Sequence, residues 1–272
     1  MKKSTSESPL KQVVRDIAEV ARQLWKRGWA ERNAGNLSLD ITDITPESRG
    51  TRERLHKITG RMIPPELAGR TFYVTATGSR FRETASDPEE NLLMIRIAGD
   101  LRGYRILGRR GGGVTSPTSE LATHLMIHGF LRKRGLPQKA VLHTHPIYLI
   151  ALTHLKAYGS EKAVNRLLWM MHPEVKVVLP EGVGLVPYRC PGTRSLAEAT
   201  LKSLKDHRVV LWEKHGCAAI GRDIWEAFDL VDTVNKAAQA FFLCRMAGYE
   251  PEGLNARQLR ELERNWLRNK PG

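Results

Sequence analysis

The chain has only three cysteines, Cys190, Cys217 and Cys244, and no two of them form a C-x-x-C pair. An odd number of well-separated thiols excludes a disulfide framework, and the missing C-x-x-C excludes both the common structural zinc clasp and the dithiol redox motif. Reduced, buried thiols are the expectation. Their equal spacing comes with no shared flanking pattern and marks no repeat. Long apolar runs are also lacking, with nothing near the roughly 20 residues that cross a bilayer. The basic start Met1-Lys2-Lys3 is followed by the charges of Lys11, Arg15 and Asp16 where a signal peptide would be uninterruptedly apolar. A cytoplasmic protein with no membrane partner is expected. There is no nucleotide-type glycine loop; Arg110-Gly111-Gly112-Gly113 is a bare glycine run and says little about phosphate.

Acidic residues are in deficit, 29 against 43 lysines and arginines, which leaves a formal charge of +14. That excess is a footprint of nucleic-acid binding. The basic residues are nevertheless spread along the chain, with one dense cluster at Arg49, Arg52, Arg54, Lys57 and Arg61. A solvated surface that draws in an anionic small molecule fits this distribution better than a specific nucleic-acid interface. Near the C-terminus, Arg257, Arg260, Arg264 and Arg268 recur at helical spacing with Leu259, Leu262 and Trp266 on another face, which predicts a docked helix with a wet arginine side.

What is present suffices for one buried core: 272 residues, 41% of them hydrophobic. Leu10, Val13, Val14, Ile17, Val20, Ala21 and Leu24 follow the three-and-four spacing of an amphipathic helix, with Gly28 placed to stop it. Strands are expected at 37–39, 71–77, 140–145, 175–179, 184–187, 209–212 and 218–220, from their β-branched content and turn-forming borders. Helices are expected at 117–134, opened by Ser116-Pro117, and at 224–247. Residues of about 40–69 carry proline, glycine and charge with weak periodicity, and read as an irregular basic insertion.

The sharpest chemical signal is Val141-Leu142-His143-Thr144-His145-Pro146. Side chains alternate along a strand, so His143 and His145 leave the same face and two imidazoles can converge on one ion. A catalytic zinc site takes three protein ligands and keeps a position open. His215, flanked by Gly216 just after an apolar strand, is the candidate third ligand. A second set competes: Glu120, His124 and His128 are four residues apart and share one helical face. They are either a metal site by themselves or buried hydrogen-bonding histidines beneath a pocket that uses only Glu120, whose place near a helix start favours a carboxylate. Asn33-Ala34-Gly35-Asn36, Thr77-Gly78-Ser79 and Thr118-Ser119 offer amides and hydroxyls of the kind that hold a phosphate, and each is equally readable as an ordinary turn.

Taken in order, Gly28-Trp29-Ala30-Glu31-Arg32-Asn33-Ala34-Gly35-Asn36-Leu37-Ser38, Val74 to Phe81, Pro117-Thr118-Ser119-Glu120-Leu121, His143-Thr144-His145, Leu179 to Gly184 and Lys214-His215-Gly216 resemble the class II aldolases. The likeness is to their rhamnulose-1-phosphate aldolase branch, whose neighbours are fuculose-phosphate aldolase and ribulose-5-phosphate 4-epimerase. The resemblance spans nearly the whole chain. It implies an α/β fold of one domain over 1–272, with a central, mainly antiparallel sheet covered by helices. It also implies one zinc ion per subunit, a sugar-phosphate substrate cleaved reversibly to dihydroxyacetone phosphate and an aldehyde, and a homotetramer with active sites between subunits. By motif, His143, His145 and His215 match the metal ligands and Glu120 the acid/base glutamate. Asn33, Gly35, Asn36, Thr77, Gly78 and Ser119 match the phosphate loops, and Glu174 an acidic residue that reaches a neighbouring subunit's site. Thr77 stands where serine is usual, which preserves the hydroxyl. An epimerase on the same scaffold, a basic nucleic-acid binder and a silent scaffold protein are the rival readings.

Overall fold

A computed structural model describes residues 8–45, 53–58, 63–108 and 116–267. The strands are β1 (Asn36–Asp40), β2 (Leu55–Lys57), β3 (Thr71–Thr75), β4 (Leu92–Ile97), β5 (Gly103–Leu107), β6 (Ala140–Thr144), β7 (Gly184–Val186), β8 (Val209–Trp212) and β9 (Gly216–Gly221). The helices are α1 (Pro9–Lys26), α2 (Phe81–Ser86), α3 (Pro88–Asn91), α4 (Leu121–Lys133), α5 (Ile147–Thr153), α6 (Glu161–Met171), α7 (Pro173–Val178), α8 (Arg194–Ser203), α9 (Ile224–Met246) and α10 (Ala256–Leu262). Among the described residues the strands make one α/β sheet in the order β2-β5-β4-β3-β1-β6-β9-β8-β7. The pairs β1–β3, β2–β5, β3–β4, β4–β5 and β8–β9 are antiparallel, and β7–β8 is parallel. The mainly antiparallel α/β architecture expected from the resemblance is thus the one observed. Contacts divide the chain into two compact units, Met1–Leu142 with Gly221–Trp225, and His143–Ile220 with Glu226–Gly272.

In the first unit, α1 buries Ile17, Val20, Ala21 and Leu24 on one face; burying a side chain the size of Ile, Val or Leu contributes about 1.5–3 kcal/mol. The helix stops as its sequence predicts, with Gly28 at a φ of +69°, a conformation that glycine adopts without steric cost. Phe72, Val74, Leu93, Ile95 and Ile97 of β3 and β4 form the core with Leu121 and Leu125 of α4. The strands β4 and β5 escape the sequence reading altogether.

The region 40–69 is less irregular than its sequence suggests, because β2 pairs with β5 as the edge strand of the sheet and a short helical turn covers Pro65–Leu67. A three-residue strand has no periodicity of its own to detect; its partner recruits it. The loop is closed at its base by the β1–β3 pairing and by Asp40, whose buried carboxylate takes an ion pair from Arg70 at 2.8 Å. Of the basic cluster, Arg49, Arg52 and Arg61 lie outside the described residues.

Three further expectations are corrected. Residues 175–179 are not a strand: α7 takes in 175–178 with Leu179 as its C-cap, and it is started by Pro173 and capped by His172, whose Nδ1 accepts the amide N–H of Glu174 at 3.1 Å. Capping and proline at the first helical position override the β preference of three valines. The helix expected from Pro117 begins at Leu121, because Pro117 is engaged in a bridge with Ala76. Finally, α10 buries none of its residues and Trp266 is 60% exposed, so the apolar stripe at the C-terminus is not a fully docked face; Arg268 lies outside the described residues.

Candidate metal centre and proton-transfer site

The second unit brings together His143, His145 and His215, whose ligand nitrogens all lie within 4.8 Å of one another. His143 sits on β6 and His145 one residue past its end, still on the same face as the period of two requires. His215 closes the three-residue loop between β8 and β9, where Trp212 pairs with Gly216 and the amide of His215 donates to the carbonyl of Trp212 at 3.0 Å. Lys214 takes the left-handed conformation of this turn, with a φ of +62°.

The tautomer of His143 follows from its partner. Its Nδ1–H donates to the carbonyl oxygen of Cys217 at 2.9 Å, which leaves Nε2 of the neutral ring as an electron-pair donor. Nε2 of His145 is 3.2 Å from that atom. Two nitrogens on one tetrahedral ion at about 2.0–2.1 Å would be about 3.3 Å apart, so this pair is spaced to share a metal ion. Trp212 tilts against both His143 and His215, with ring centroids 4.4 and 5.2 Å away, and its indole N–H is held by the Thr200 hydroxyl at 2.9 Å. The sequence reading missed this supporting tryptophan, for which an apolar strand was the only signal.

Gly216, singled out in the sequence as the neighbour of His215, has a steric role that only the structure shows. A Cβ there would lie 2.5 Å from the carbonyl oxygen of Thr144, 2.8 Å from the His145 ring and 3.4 Å from the His143 ring. Gly216→Ala is therefore expected to push β9 off the histidines and lower metal affinity at least about tenfold, the scale of losses around metal ligands. Metal titration of folded variant and parent checks this, and equal affinity would refute it.

In the first unit, β1 and α4 place the remaining candidates. Glu120 is the N-cap residue of α4, and its Oε2 accepts a bond from the Asn36 side-chain amide at 3.2 Å. His124 and His128 are 2% and 1% exposed and bond the Ser38 hydroxyl at 2.7 and 2.8 Å. The reading of these histidines as buried hydrogen-bonding residues is the one that the structure shows. The two neighbouring loops are also tied to this region: Thr77 N–H donates to Ser116 at 2.8 Å, Thr118 N–H to Thr75 at 2.9 Å, and Leu37 N–H to the Thr75 hydroxyl at 3.2 Å. Asn33, Thr77, Gly78 and Ser119 are exposed, Gly35 is half-buried, and Asn36 is buried. Glu174 is exposed in the first turn of α7.

Burial pushes the pKa values of His124 and His128 down to about 3. In the unfolded chain both titrate near the ordinary value of about 6.5. Between those values the unfolded state binds more protons, so stability rises with pH there. Thermal unfolding is expected to show Tm falling from pH 7 to pH 5, with a shallower fall in His128→Phe; an unchanged slope in that variant would refute the assignment.

Among the described residues, no helix is long and apolar enough to cross a membrane. All three cysteines are free, and burial pushes the Cys217 thiol above its usual range; Cys190, by contrast, is exposed, so the expectation of buried thiols fails there.

The second unit thus carries a three-imidazole cluster that could hold a metal ion, and the first carries a carboxylate at a helix start. The family model described as Class II Aldolase and Adducin N-terminal domain matches residues 15–242, and the chain belongs to this family. It is similar to the rhamnulose-1-phosphate aldolase of Bacteroides thetaiotaomicron, 40% identical over 250 residues and 92% of each chain. The rhamnulose-1-phosphate aldolase of Pectobacterium atrosepticum is 36% identical over 253 residues, 90% of each chain. Among solved structures, a sugar-phosphate aldolase from Thermotoga maritima matches with a TM-score of 0.76 at 33% identity, over 90% of this chain and 99% of that one.

Proposed function

We propose that the chain catalyses the reversible cleavage of L-rhamnulose 1-phosphate to dihydroxyacetone phosphate and L-lactaldehyde, with zinc as its metal. The observation that carries this reading is the convergence of His143, His145 and His215 in a chain 40% identical to a rhamnulose-1-phosphate aldolase over 92% of its length.

Breaking a carbon–carbon bond beside a hydroxyl leaves a carbanion, whose charge must spread onto the adjacent carbonyl. The neutral imidazoles of His143, His145 and His215 would hold a zinc ion without cancelling its charge, and the ion would supply Lewis-acid stabilisation of that oxygen. Glu120 moves the proton at the carbon that becomes a hydroxymethyl group. The exposed loop residues Asn33, Thr77, Gly78 and Ser119, with Gly35 and the Asn36 segment beside them, bind the phosphate and hold the substrate in register. Glu174, exposed at the start of α7, serves a neighbouring subunit's site in a homotetramer. A single catalytic domain is consistent with one family model matching residues 15–242.

Purified protein is expected to release free aldehyde and dihydroxyacetone phosphate from L-rhamnulose 1-phosphate at least tenfold faster than from L-fuculose 1-phosphate, with about one zinc per chain in the same sample. Isomerised sugar without free aldehyde would identify an epimerase instead. Faster cleavage of the fuculose compound would move the substrate assignment.

A further inference from the structure

Glu120, Asn36, His124, Ser38 and His128 form one continuous zigzag between α4 and β1. Four residues of helix rise about 6 Å and two residues of strand about 6.7 Å. The helix row 120, 124, 128 and the strand row 36, 38 therefore stay in register, and each side chain on one element falls between two on the other. The links run from the Asn36 amide N–H to Glu120 at 3.2 Å, from His124 Nε2 to Asn36 Oδ1 at 2.5 Å, from Ser38 Oγ to His124 Nδ1 at 2.7 Å and from His128 Nε2 to Ser38 Oγ at 2.8 Å. We infer that His128, Ser38 and His124 are positioning residues that fix the Asn36 amide, so that its N–H group orients the Glu120 carboxylate for proton transfer. The inference deepens the aldolase reading above and rests on it.

The polarity of the chain has one consistent solution. With the Asn36 NH₂ toward the carboxylate, its oxygen needs a donor, which makes His124 Nε2-protonated. His124 Nδ1 then accepts from the Ser38 hydroxyl, whose oxygen accepts from His128 Nε2–H. The far nitrogen, His128 Nδ1, is buried with no hydrogen-bond partner, and the Phe72 ring lies 4.8 Å from the imidazole centroid. A bare acceptor is tolerable there. Reversing the chain would turn the amide oxygen on the carboxylate and leave an N–H at His128 Nδ1 with no acceptor, the costlier defect in a buried site. Burial keeps both imidazoles neutral, which is the state that a fixed direction requires. Asn36 is only 7% exposed, and both polar atoms of its amide are committed to this chain. Its oxygen and one of its two N–H groups are thereby given to this chain, so the side chain serves Glu120 whether or not the second N–H meets the phosphate.

The test uses the zinc-loaded enzyme and measures cleavage of L-rhamnulose 1-phosphate, exchange of the dihydroxyacetone phosphate proton with solvent deuterium, and inhibition by inorganic phosphate. Ser38→Ala is expected to lower kcat and exchange together by about 10- to 30-fold, with KM and the phosphate inhibition constant within twofold of the parent. Ser38→Thr, which restores the hydroxyl, should recover at least a third of kcat. His128→Phe, which cuts only the last link, should lose about threefold. Imidazole nitrogen shifts should report both His124 and His128 as neutral and Nε2-protonated at pH 7, whatever the activity. Parental kcat in folded Ser38→Ala, or an Nδ1-protonated His124, overturns the inference while leaving the aldolase reading intact. So does an Asn36→Ala variant that keeps kcat but weakens phosphate inhibition tenfold. A parent inert in both cleavage and exchange overturns the aldolase reading, and the inference with it.

Discussion

Glu120→Ala is expected to abolish turnover while leaving the metal in place. General acid–base groups contribute about 10²- to 10⁴-fold, and the loss should appear in kcat, in cleavage and in proton exchange alike. The structure gives two reasons to expect a clean result. Glu120 is the N-cap of α4 but makes no side-chain cap bond, so truncation removes no cap. It is also absent from the three-histidine group, so metal content should be unchanged. Truncation also takes the acceptor from the Asn36 amide N–H, for which about 1–3 kcal/mol is the scale when a buried donor loses its acceptor. Measured metal at parental stoichiometry with kcat reduced at least a hundredfold is the expected pair. Full activity would remove Glu120 from the chemistry, whereas lost metal would place it among the ligands.

Removing the metal is expected to have a still larger effect. Lewis-acid stabilisation is worth several kcal/mol of transition-state energy, and each 1.4 kcal/mol is about tenfold in rate. Chelation should therefore cut cleavage by on the order of 10³-fold or more, and zinc should restore it. His145→Ala makes the same point within the chain. His145 is less buried than His143, whose ring is tied to the carbonyl of Cys217, so truncating His145 disturbs packing less and leaves only two imidazoles. The metal should be lost and turnover with it. Because a tightly bound ligand at about 1,000 times its Kd contributes about 4 kcal/mol to stability, the chelated parent should also melt at a lower temperature. Chelator-insensitive cleavage by metal-free protein would sink the mechanism.

Some of the site can be read directly from spacing. His143 and His145 share a face because a strand repeats every two residues, and that holds although His145 lies just beyond β6. Glu120, His124 and His128 share a face because a helix returns about every four residues. Spacing could not say which trio held the metal, since both were geometrically sound. In the fold His124 and His128 bond Ser38, while His143 and His145 meet His215 in a group that could hold a metal ion. Local preference misled where tertiary context opposed it, as in α7, where valines favourable to a strand were taken into a helix begun by Pro173 and capped by His172.

The sequence by itself determined which side chains share a face, where α1 stops at Gly28 and, through its ordered motifs, which family the chain resembles. Only the tertiary structure decided that the β8–β9 turn carries His215 to the two strand histidines, that Gly216 must lack a side chain for them to approach, and that Asn36 reaches Glu120, 84 positions away along the chain. The reason is physical. Periodicity fixes the direction of a side chain relative to its own backbone, but a metal site or a hydrogen-bond chain depends on distances between backbones, which are set when strands pair and helices pack.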